Sequence, residues 1–324
     1  MASPSSAVDY SIETLHKTLQ NKQNIEPALS AAIDAFLAKA QHLQRRDSRL
    51  GISGFEREYM DVCWSIDREP GYKASLTLET KATKGKNRYR DVLPIEKTRV
   101  KLQNLESDYI NANYIDNNYI ACCAPVPAAI QDFWHMVWQC DVHVVLMLTD
   151  FVERKRLKAD MYWDSRLNQA VNFNGVYVWK QDISGHAKES RVIQHFQLTS
   201  WPDHGVLQDF QVIAPMLETM NSYRSEVSRA LQVDARVVVH CSAGIGRSGT
   251  FIAIDILLKK LHQALLDKSK SVEERKGAIQ HAVDIPRVVH RLRSQRPGMV
   301  QTPVRICLQL FYNVHLLTRM RGAV

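Results

Sequence analysis

Cys241 and Arg247 are the two residues whose types and spacing could do chemistry. A buried-strand pattern, RVVVH, runs to residue 240, and a loop with two glycines then leads into an apolar helical pattern that opens at Ser248. Unpaired N–H groups and the helix dipole both favour a negatively charged ligand at the start of a helix. The same groups, with a nearby guanidinium, lower the pKa of a thiol and hold it as a nucleophilic thiolate. The segment therefore predicts a reactive thiolate beside an anion site.

A nucleotide-binding loop of the pattern GxxxxGK[ST] does not fit this segment. Cys241 stands where the first glycine belongs, and Arg247 stands where the lysine belongs. The planar guanidinium of Arg247 can instead bind two oxygens of one phosphate group. The Cys-x5-Arg spacing alone is weak evidence, and a buried cysteine beside a tight turn is the alternative. The combination of strand, His-Cys, two glycines, Arg-Ser-Gly and apolar helix favours catalysis.

The segment HCSAGIGRSGT, residues 240–250, resembles the signature loop of the classical protein tyrosine phosphatases of the non-receptor type. Further segments resemble motifs of that family in the family's order, over about residues 80 to 320. They are KNRYRDVLP at 86–94 (the phosphotyrosine-recognition loop), DYINANYI at 108–115, the stretch from DFWHMVWQ to ERKRLKADMYW at 132–163, WPDHG at 201–205 (the acid loop) and RPGMVQT at 296–302 (the glutamine loop).

The resemblance implies roles for the residues of the signature loop. Cys241 would attack phosphorus as a thiolate and form a cysteinyl-phosphate, with no metal or other cofactor. Arg247 and the loop amides would hold the phosphate oxygens through the transition state. Ser248 would stabilise the thiolate as it leaves, or would only cap the helix, and His240 would be a buried neighbour that orients the thiol. The amides would come from Ser242, Ala243, Gly244, Ile245, Gly246 and Arg247.

The acid loop would supply the proton. Asp203 would protonate the tyrosyl oxygen as general acid and then activate water as base; an ordinary aspartate in a Trp-Pro turn is the alternative. Trp201 and Gly205 would be hinges of a lid that closes on the substrate, stiffened by Pro202. The chain continues to Leu207 as Gly-Val-Leu where the family commonly has proline. This departure leaves the motion of the lid open.

Two other loops would bind the substrate and the hydrolytic water. Tyr89 would line a pocket that is too deep for phosphoserine and phosphothreonine. Asp91 would accept hydrogen bonds from the substrate backbone, unless it is a simple turn aspartate. Gln301 would position the water. Because Arg305 occupies the place of the family's second glutamine, water positioning would depend on Gln301 alone.

Three charged residues allow two interpretations each. Glu153 and Lys158 match a loop that orders the arginine and the acid lid in the family, but they could equally be a solvated pair. Arg293 matches a residue that helps some relatives bind a second acidic or phosphorylated side chain, or it is a plain solvated arginine.

The clearest departure from the family is Ala-Cys-Cys-Ala-Pro at 121–125, where relatives usually have Ala-Thr-Gln-Gly-Pro. Cys122 and Cys123 could be small buried apolar residues. The other hypothesis is that one of them captures oxidised Cys241 as a disulfide and protects it from irreversible oxidation. Peroxide treatment followed by non-reducing peptide mapping separates the two, since the hypothesis requires a disulfide to Cys241.

The helices and strands of the fold must position these residues. Apolar residues at a period of about 3.6 predict helices, and short segments rich in β-branched and aromatic residues predict strands. The predicted helices cover about 29–43, 212–227, 251–266 and 285–296, with a weaker one at 11–19; the predicted strands cover 98–103, 108–115, 117–123, 142–148, 171–179, 190–198 and 236–240.

Helices around a mixed sheet predict an α/β (α+β) fold in a single domain. The family resemblance implies that this is a phosphatase domain with a highly twisted mixed β-sheet flanked by helices. Residues 1–50 are predicted to be an N-terminal helical extension, and residues 51–320 the catalytic domain. The densely charged segment 266–281 is predicted to be a solvated excursion.

Composition fits a globular enzyme in a reducing compartment. Of 324 residues, 45% are hydrophobic and 23% are charged, which excludes disordered, collagenous and fibrous classes. The net charge of +8 would suit nucleic acid, an acidic membrane or a phosphorylated substrate. Six cysteines without a CxxC pair, no signal-peptide pattern, no prenylation box and no long apolar stretch predict a cytoplasmic or nuclear protein. We expect phosphotyrosine proteins as partners, no nucleic acid, no membrane span and a monomer.

Three other functions can be weighed against a phosphotyrosine phosphatase. A catalytically dead phosphotyrosine-binding module typically loses the acid or the nucleophile, whereas Asp203 and Cys241 are both present. A dual-specificity or phosphoinositide phosphatase shares Cys-x5-Arg, but Tyr89 in its KNRY context argues against it. A thiol protease would need a His-plus-Asn arrangement, and none is evident.

Overall fold

The central strands are buried on both faces because their sequences are nearly continuous runs of apolar residues. The computed structural model describes residues 26–163, 171–173, 176–184, 190–201, 213–282 and 284–302. In the strand before Cys241, Val237 and Val239 belong to the core on one face of the sheet, and Val238 belongs to the core on the other. The sheet therefore divides the molecule into two apolar layers.

The described part of the chain contains an eight-stranded mixed sheet and a separate two-stranded hairpin. The strands are β1 (Arg99–Lys101), β2 (Tyr109–Ile115), β3 (Tyr119–Cys122), β4 (Val142–Met147), β5 (Val152–Glu153), β6 (Arg156–Leu157), β7 (Val171–Phe173), β8 (Val176–Ser184), β9 (Ser190–Leu198) and β10 (Arg236–His240).

The helices of the described residues lie on both faces of this sheet. They are α1 (Pro27–Gln44), α2 (Gly54–Asp67), α3 (Lys81–Lys84), α4 (Ile130–Gln139), α5 (Ile213–Leu231), α6 (Gly246–Leu266), α7 (Val272–Ala282) and α8 (Ile285–Gln295), with 3-10 turns at Lys73–Ser75, Glu96–Thr98 and Pro127–Ala129.

The order of the strands in the main sheet is β1-β2-β3-β10-β4-β9-β8-β7. The four central strands β3, β10, β4 and β9 are parallel, and the pairs towards each edge are antiparallel. The carboxyl ends of the parallel strands meet at one edge, where open sheets of this kind bind their ligands. This confirms the predicted α/β fold with a twisted mixed sheet flanked by helices.

Most of the predicted helices and strands agree with these elements within a few residues at their ends, but the single strand predicted at 171–179 is wrong, because β7 and β8 pair there as antiparallel strands. The weaker helix predicted at 11–19 lies outside the described residues. Helices α2, α3 and α4 were not predicted. For α2, Ser53 and Glu56 form a capping box, which is a local signal for a helix start. The division into an extension at 1–50 and a catalytic domain from 51 stays a prediction.

The prediction of a solvated excursion at 266–281 is wrong for its second half. Residues 272–282 form α7, where Ile279 is completely buried and Arg275 is 3% exposed. Arg275 donates to the carbonyls of Ala264 and Leu265 at the end of α6, and to a Glu26 carboxylate oxygen at 2.6 Å. A charged side chain is buried here because it caps the carboxyl end of another helix.

Replacing Arg275 with alanine is expected to destabilise the protein by about 2 kcal/mol, because it leaves buried helix-end carbonyls without donors. Urea unfolding measures the change. Lys276→Ala on the same helix is the matched control, since Lys276 only joins an exposed ion pair with Glu273, and its loss should cost under about 0.5 kcal/mol. Equal losses for both variants would contradict the capping role.

Among the described helices, none is long and apolar enough to cross a membrane.

Candidate active site

Cys241 follows the last residue of β10 and directly precedes the loop that begins α6. Its side chain is buried but lines a pocket of about 390 Å³. The pocket brings together most of the predicted site residues from four separate segments of the chain. Its lining comprises Tyr89, Asp91, Val92, Arg156, Leu157, Lys158, Cys241, Ser242, Ala243, Ile245, Gly246, Arg247 and Gln301.

The surroundings of Cys241 favour its thiolate. Burial raises the pKa of the thiol. The positive charge of Arg247, together with Ser248 and the Ile245 amide, lowers the pKa by more than burial raises it. The net pKa of Cys241 lies below its ordinary value. Ser248 is completely buried at the start of α6, and it contributes to the lowered pKa of the thiol. The helix start therefore acts on the thiol as the sequence predicts.

Arg247 is held by a carboxylate from the β5–β6 hairpin. Glu153 accepts from Nη1 at 2.5 Å and from Nη2 at 3.2 Å, and Nη1 also donates to the carbonyl oxygen of Trp201 at 2.9 Å. Burial raises the Glu153 pKa, but the hydrogen bonds from Arg247 and Thr149 bring it below its usual value. Glu153 is therefore an ionised partner of Arg247 and not a solvated surface carboxylate. Trp201 is buried and touches the site through its backbone.

The signature loop packs directly on the strand that carries the cysteine pair. Gly244 has a φ of +69°, and a Cβ there would lie 1.9 Å from the carbonyl oxygen of Cys122. Only glycine fits both the backbone conformation and the space. The loop is consequently fixed against the end of β3.

Arg296 is a functional residue that the sequence analysis treated only as the first letter of the glutamine loop. It is completely buried, and it donates to the carbonyls of Ala243 and Gly244 at 3.1 and 2.9 Å. Its remaining donors bind the side-chain oxygens of Asn111 and Asn113 at 2.9 and 2.8 Å. The two asparagines of β2 thus support the guanidinium that holds the signature loop.

Tyr89 is oriented by the signature loop itself. The Ser242 hydroxyl donates to the Lys158 carbonyl at 2.6 Å and lies 2.8 Å from the Tyr89 hydroxyl. A serine has one hydroxyl proton, so Tyr89 is the donor in that pair. Half-buried Tyr89 and exposed Asp91 both line the pocket.

His240 is a buried neighbour of the thiol, as the sequence predicts. Its Nδ1 lies 3.0 Å from the Cys241 carbonyl, which can only accept, so Nδ1 carries the proton. The Nε2 atom therefore accepts from the Tyr162 hydroxyl at 2.6 Å, and that hydroxyl accepts from His195 Nε2 at 2.6 Å. The hydrogen-bond network thus assigns the tautomers of both histidines.

Burial lowers the pKa of His240 to about 4. A histidine is neutral above its pKa, so His240 should stay neutral from pH 5 to pH 8. Nitrogen–proton NMR of histidine-labelled protein should show an Nδ1-protonated ring whose shifts do not titrate in that range. A titration midpoint near 6.5 would contradict the assignment.

Arg293 supports the glutamine loop. It donates from Nε to the Met299 carbonyl at 2.9 Å and from Nη2 to the Val300 carbonyl at 3.1 Å. The interpretation as a plain solvated arginine is therefore wrong. Contact with a second acidic or phosphorylated side chain stays a prediction.

Cys122 and Cys123 are buried, and burial raises the pKa of both thiols. These properties agree with small buried apolar residues, and the disulfide with oxidised Cys241 stays a prediction. Asp203, with Pro202, Gly205 and Leu207, lies outside the described residues, as does Arg305.

Comparison with known proteins supports the interpretation of this pocket. Residues 83–315 match the family model described as "Protein-tyrosine phosphatase". Receptor-type tyrosine-protein phosphatase eta of Gallus gallus is 34% identical over 80% of this chain and 18% of its own length. Tyrosine-protein phosphatase 3 of Dictyostelium discoideum is 39% identical over 67% of this chain and 23% of its own length. Human tyrosine-protein phosphatase non-receptor type 13 is 33% identical over 84% of this chain and 11% of its own length.

The matched relatives include both receptor and non-receptor types, so the family is settled and the subtype is not. The chain spans under a quarter of the length of each of these relatives. With the buried Cys241, the paired Arg247 and a family match over most of its length, this chain belongs to the protein-tyrosine phosphatase family.

Proposed function

We propose that this chain hydrolyses phosphotyrosine in proteins through a cysteinyl-phosphate intermediate. The observation that carries the proposal is the environment of Cys241, a thiol with a lowered pKa that lines a pocket together with Arg247. A thiolate supplies the nucleophile, and a guanidinium at a helix start supplies the site for a phosphate dianion. Arg156 and Lys158 add further positive charge to the lining.

In the first step, the Cys241 sulfur attacks phosphorus as the bond to the tyrosyl oxygen breaks. Arg247 and the signature-loop amides stabilise the charge on the three remaining phosphate oxygens. Asp203 protonates the departing tyrosyl oxygen. The products are the substrate protein with an unmodified tyrosine side chain and the enzyme with a phosphorylated Cys241.

In the second step, water replaces the sulfur on phosphorus. Gln301 positions the water, and the Asp203 carboxylate accepts its proton. The electron pair of the S–P bond returns to Cys241, whose thiolate Ser248 stabilises. Inorganic phosphate leaves, and the enzyme regains its starting state.

Tyrosine selectivity is proposed to come from the depth that Tyr89 gives the pocket. Hydrolysis of matched phosphotyrosine and phosphoserine peptides by the wild-type chain tests the function and its selectivity together. We expect phosphate release from the phosphotyrosine peptide only. Equal rates would favour a dual-specificity phosphatase, and binding without hydrolysis would favour a catalytically dead binding module.

Asp203→Ala is expected to lower kcat by about 10²- to 10⁴-fold with little change in substrate affinity. The reason is that Asp203 transfers protons, whereas Arg247 and the loop bind the phosphate. Steady-state kinetics and calorimetric binding of the phosphotyrosine peptide measure the two quantities. Loss of binding along with turnover would contradict this division of roles, and Asp182→Ala, in β8, serves as the control.

We further propose a non-receptor signalling enzyme of the cytoplasm, with the nucleus as a second location. The supporting observation is a cysteine content without a disulfide framework. Phosphotyrosine proteins are the proposed partners, and a monomer is the proposed state. Imaging of the tagged full chain and size-exclusion chromatography with light scattering test these proposals.

A further inference from the structure

The backbone of Val300 is strained at a place next to a pocket residue. Val300 has a φ of +59°, in the left-handed region that β-branched residues rarely occupy. It is completely buried, and the next residue, Gln301, lines the pocket. Such a conformation persists only where its surroundings fix it, and it clusters at functional sites.

Three hydrogen bonds fix this backbone from two sides. The Val300 N–H donates to the Ile245 carbonyl in the signature loop at 3.0 Å. On the other side, the Val300 carbonyl accepts from the Tyr59 hydroxyl at 2.9 Å and from Arg293 Nη2 at 3.1 Å. The strained residue is thus tied to the phosphate site on one side and to helices α2 and α8 on the other.

Tyr59 and Arg293 form a single unit, which we call the Tyr59–Arg293 clamp. Arg293 Nη2 donates to the Tyr59 hydroxyl at 2.7 Å, and the guanidinium carbon lies 5.1 Å from the centre of the Tyr59 ring. Arg293 Nε also holds the Met299 carbonyl at 2.9 Å. Each partner therefore orients the other while both bind the glutamine loop.

The clamp acts on the one peptide unit that sets the direction of Gln301. The carbonyl of Val300 belongs to the same planar peptide group as the Gln301 nitrogen and Cα. Fixing that oxygen fixes the plane from which the Gln301 side chain departs. A released Val300 would relax to negative φ and rotate this plane.

We propose that Tyr59 and Arg293 are positioning residues that hold Gln301 for hydrolysis of the cysteinyl-phosphate; this inference rests on the proposed function. In that step the water oxygen bonds to phosphorus, the S–P bond breaks and its electron pair returns to Cys241. The water proton passes to Asp203. Attack by Cys241 on the substrate does not use this water, so loss of the clamp slows the second step selectively.

Rapid-quench kinetics with p-nitrophenyl phosphate separates the two steps. Tyr59→Phe removes the hydrogen bond to the Val300 carbonyl and the one from Arg293, and it should slow phosphocysteine hydrolysis about fivefold, while phosphorylation of Cys241 changes less than twofold. Phosphocysteine, detected by mass spectrometry, should therefore accumulate. Arg293→Met should act in the same direction and more strongly. Tyr114→Phe is the matched control, because its hydroxyl lies against Cys140 and away from the pocket.

A double-mutant cycle with Gln301→Ala tests whether the clamp works through Gln301. In the Gln301→Ala background, Tyr59→Phe should change the hydrolysis rate less than twofold. An undiminished fivefold loss there, or equal slowing of both steps, would overturn the inference and indicate a general structural role.

Relief of the backbone strain at Val300 provides a second test of the inference. Glycine adopts positive φ without strain, so Tyr59→Phe should slow phosphocysteine hydrolysis less in a Val300→Gly background than in the wild type. If Tyr59→Phe slowed hydrolysis equally in both backgrounds, the proposal that the clamp holds the strained Val300 backbone would be overturned. If the wild-type chain forms no phosphocysteine, the proposed function is overturned together with this inference. If the wild-type chain turns over normally and Tyr59→Phe hydrolyses phosphocysteine at the same rate as Tyr114→Phe, the inference alone is overturned.

Discussion

Cys241→Ser is expected to lower turnover of a phosphotyrosine peptide by at least about 10⁴-fold. The site brings the pKa of a thiol below its ordinary value, but a serine hydroxyl is so much less acidic that it stays protonated in the same surroundings. Binding should survive, because Arg247 and the loop amides are unchanged. Phosphate release and calorimetric titration with the same peptide measure turnover and affinity.

Cys140→Ser is the matched control for this variant. Cys140 is buried at the end of α4, where its sulfur contacts the Tyr114 hydroxyl at 3.3 Å. The Cys140→Ser variant should retain wild-type turnover. Substantial activity in Cys241→Ser would refute the cysteinyl-phosphate mechanism.

Arg247→Met is expected to lower kcat/KM by about 10³-fold or more, because the transition state loses charge-assisted bonds in a buried site. It should also raise the pKa of Cys241, since Arg247 supplies the largest lowering effect against burial. A thiol reacts as its thiolate, which forms above the pKa. The pH profile of Cys241 alkylation by iodoacetamide should therefore move to higher pH, with slower reaction at pH 6 to 7.

Arg247→Lys separates the two effects of Arg247. Lysine keeps the positive charge but loses the planar fork that binds Glu153 at two points. The alkylation profile should stay close to that of the wild type, while kcat/KM still falls. If Arg247→Met left the profile unchanged, the guanidinium would not be what lowers the thiol pKa.

The local sequence was sufficient to predict the chemical centre. The strand before Cys241, the loop and the start of α6 are continuous in sequence, so nucleophile, amides and arginine can be recognised together. The helix and strand patterns likewise predicted the mixed sheet. Helix α2 carried a capping-box signal at Ser53 that was overlooked, so its absence from the prediction reflects the interpretation and not a missing signal.

The residues that hold the centre in place could not be identified as such from sequence. Arg293 and Arg296 are residue types that are usually solvated, and both donate to backbone carbonyls, Arg293 across 6 and 7 residues and Arg296 across 52 and 53. Their partners are backbone oxygens, which every residue possesses and no motif marks.

The sequence by itself determined the nucleophile and its phosphate site, because Cys241, the loop amides and Arg247 lie within a few residues of one another in a single strand–loop–helix unit. Only the tertiary structure decided what fixes them. Glu153 reaches Arg247 across 94 residues, and Tyr59 reaches Val300 across 241. Such pairings depend on how the helices and the hairpin pack around the carboxyl ends of the parallel strands, and local periodicity carries no information about that packing.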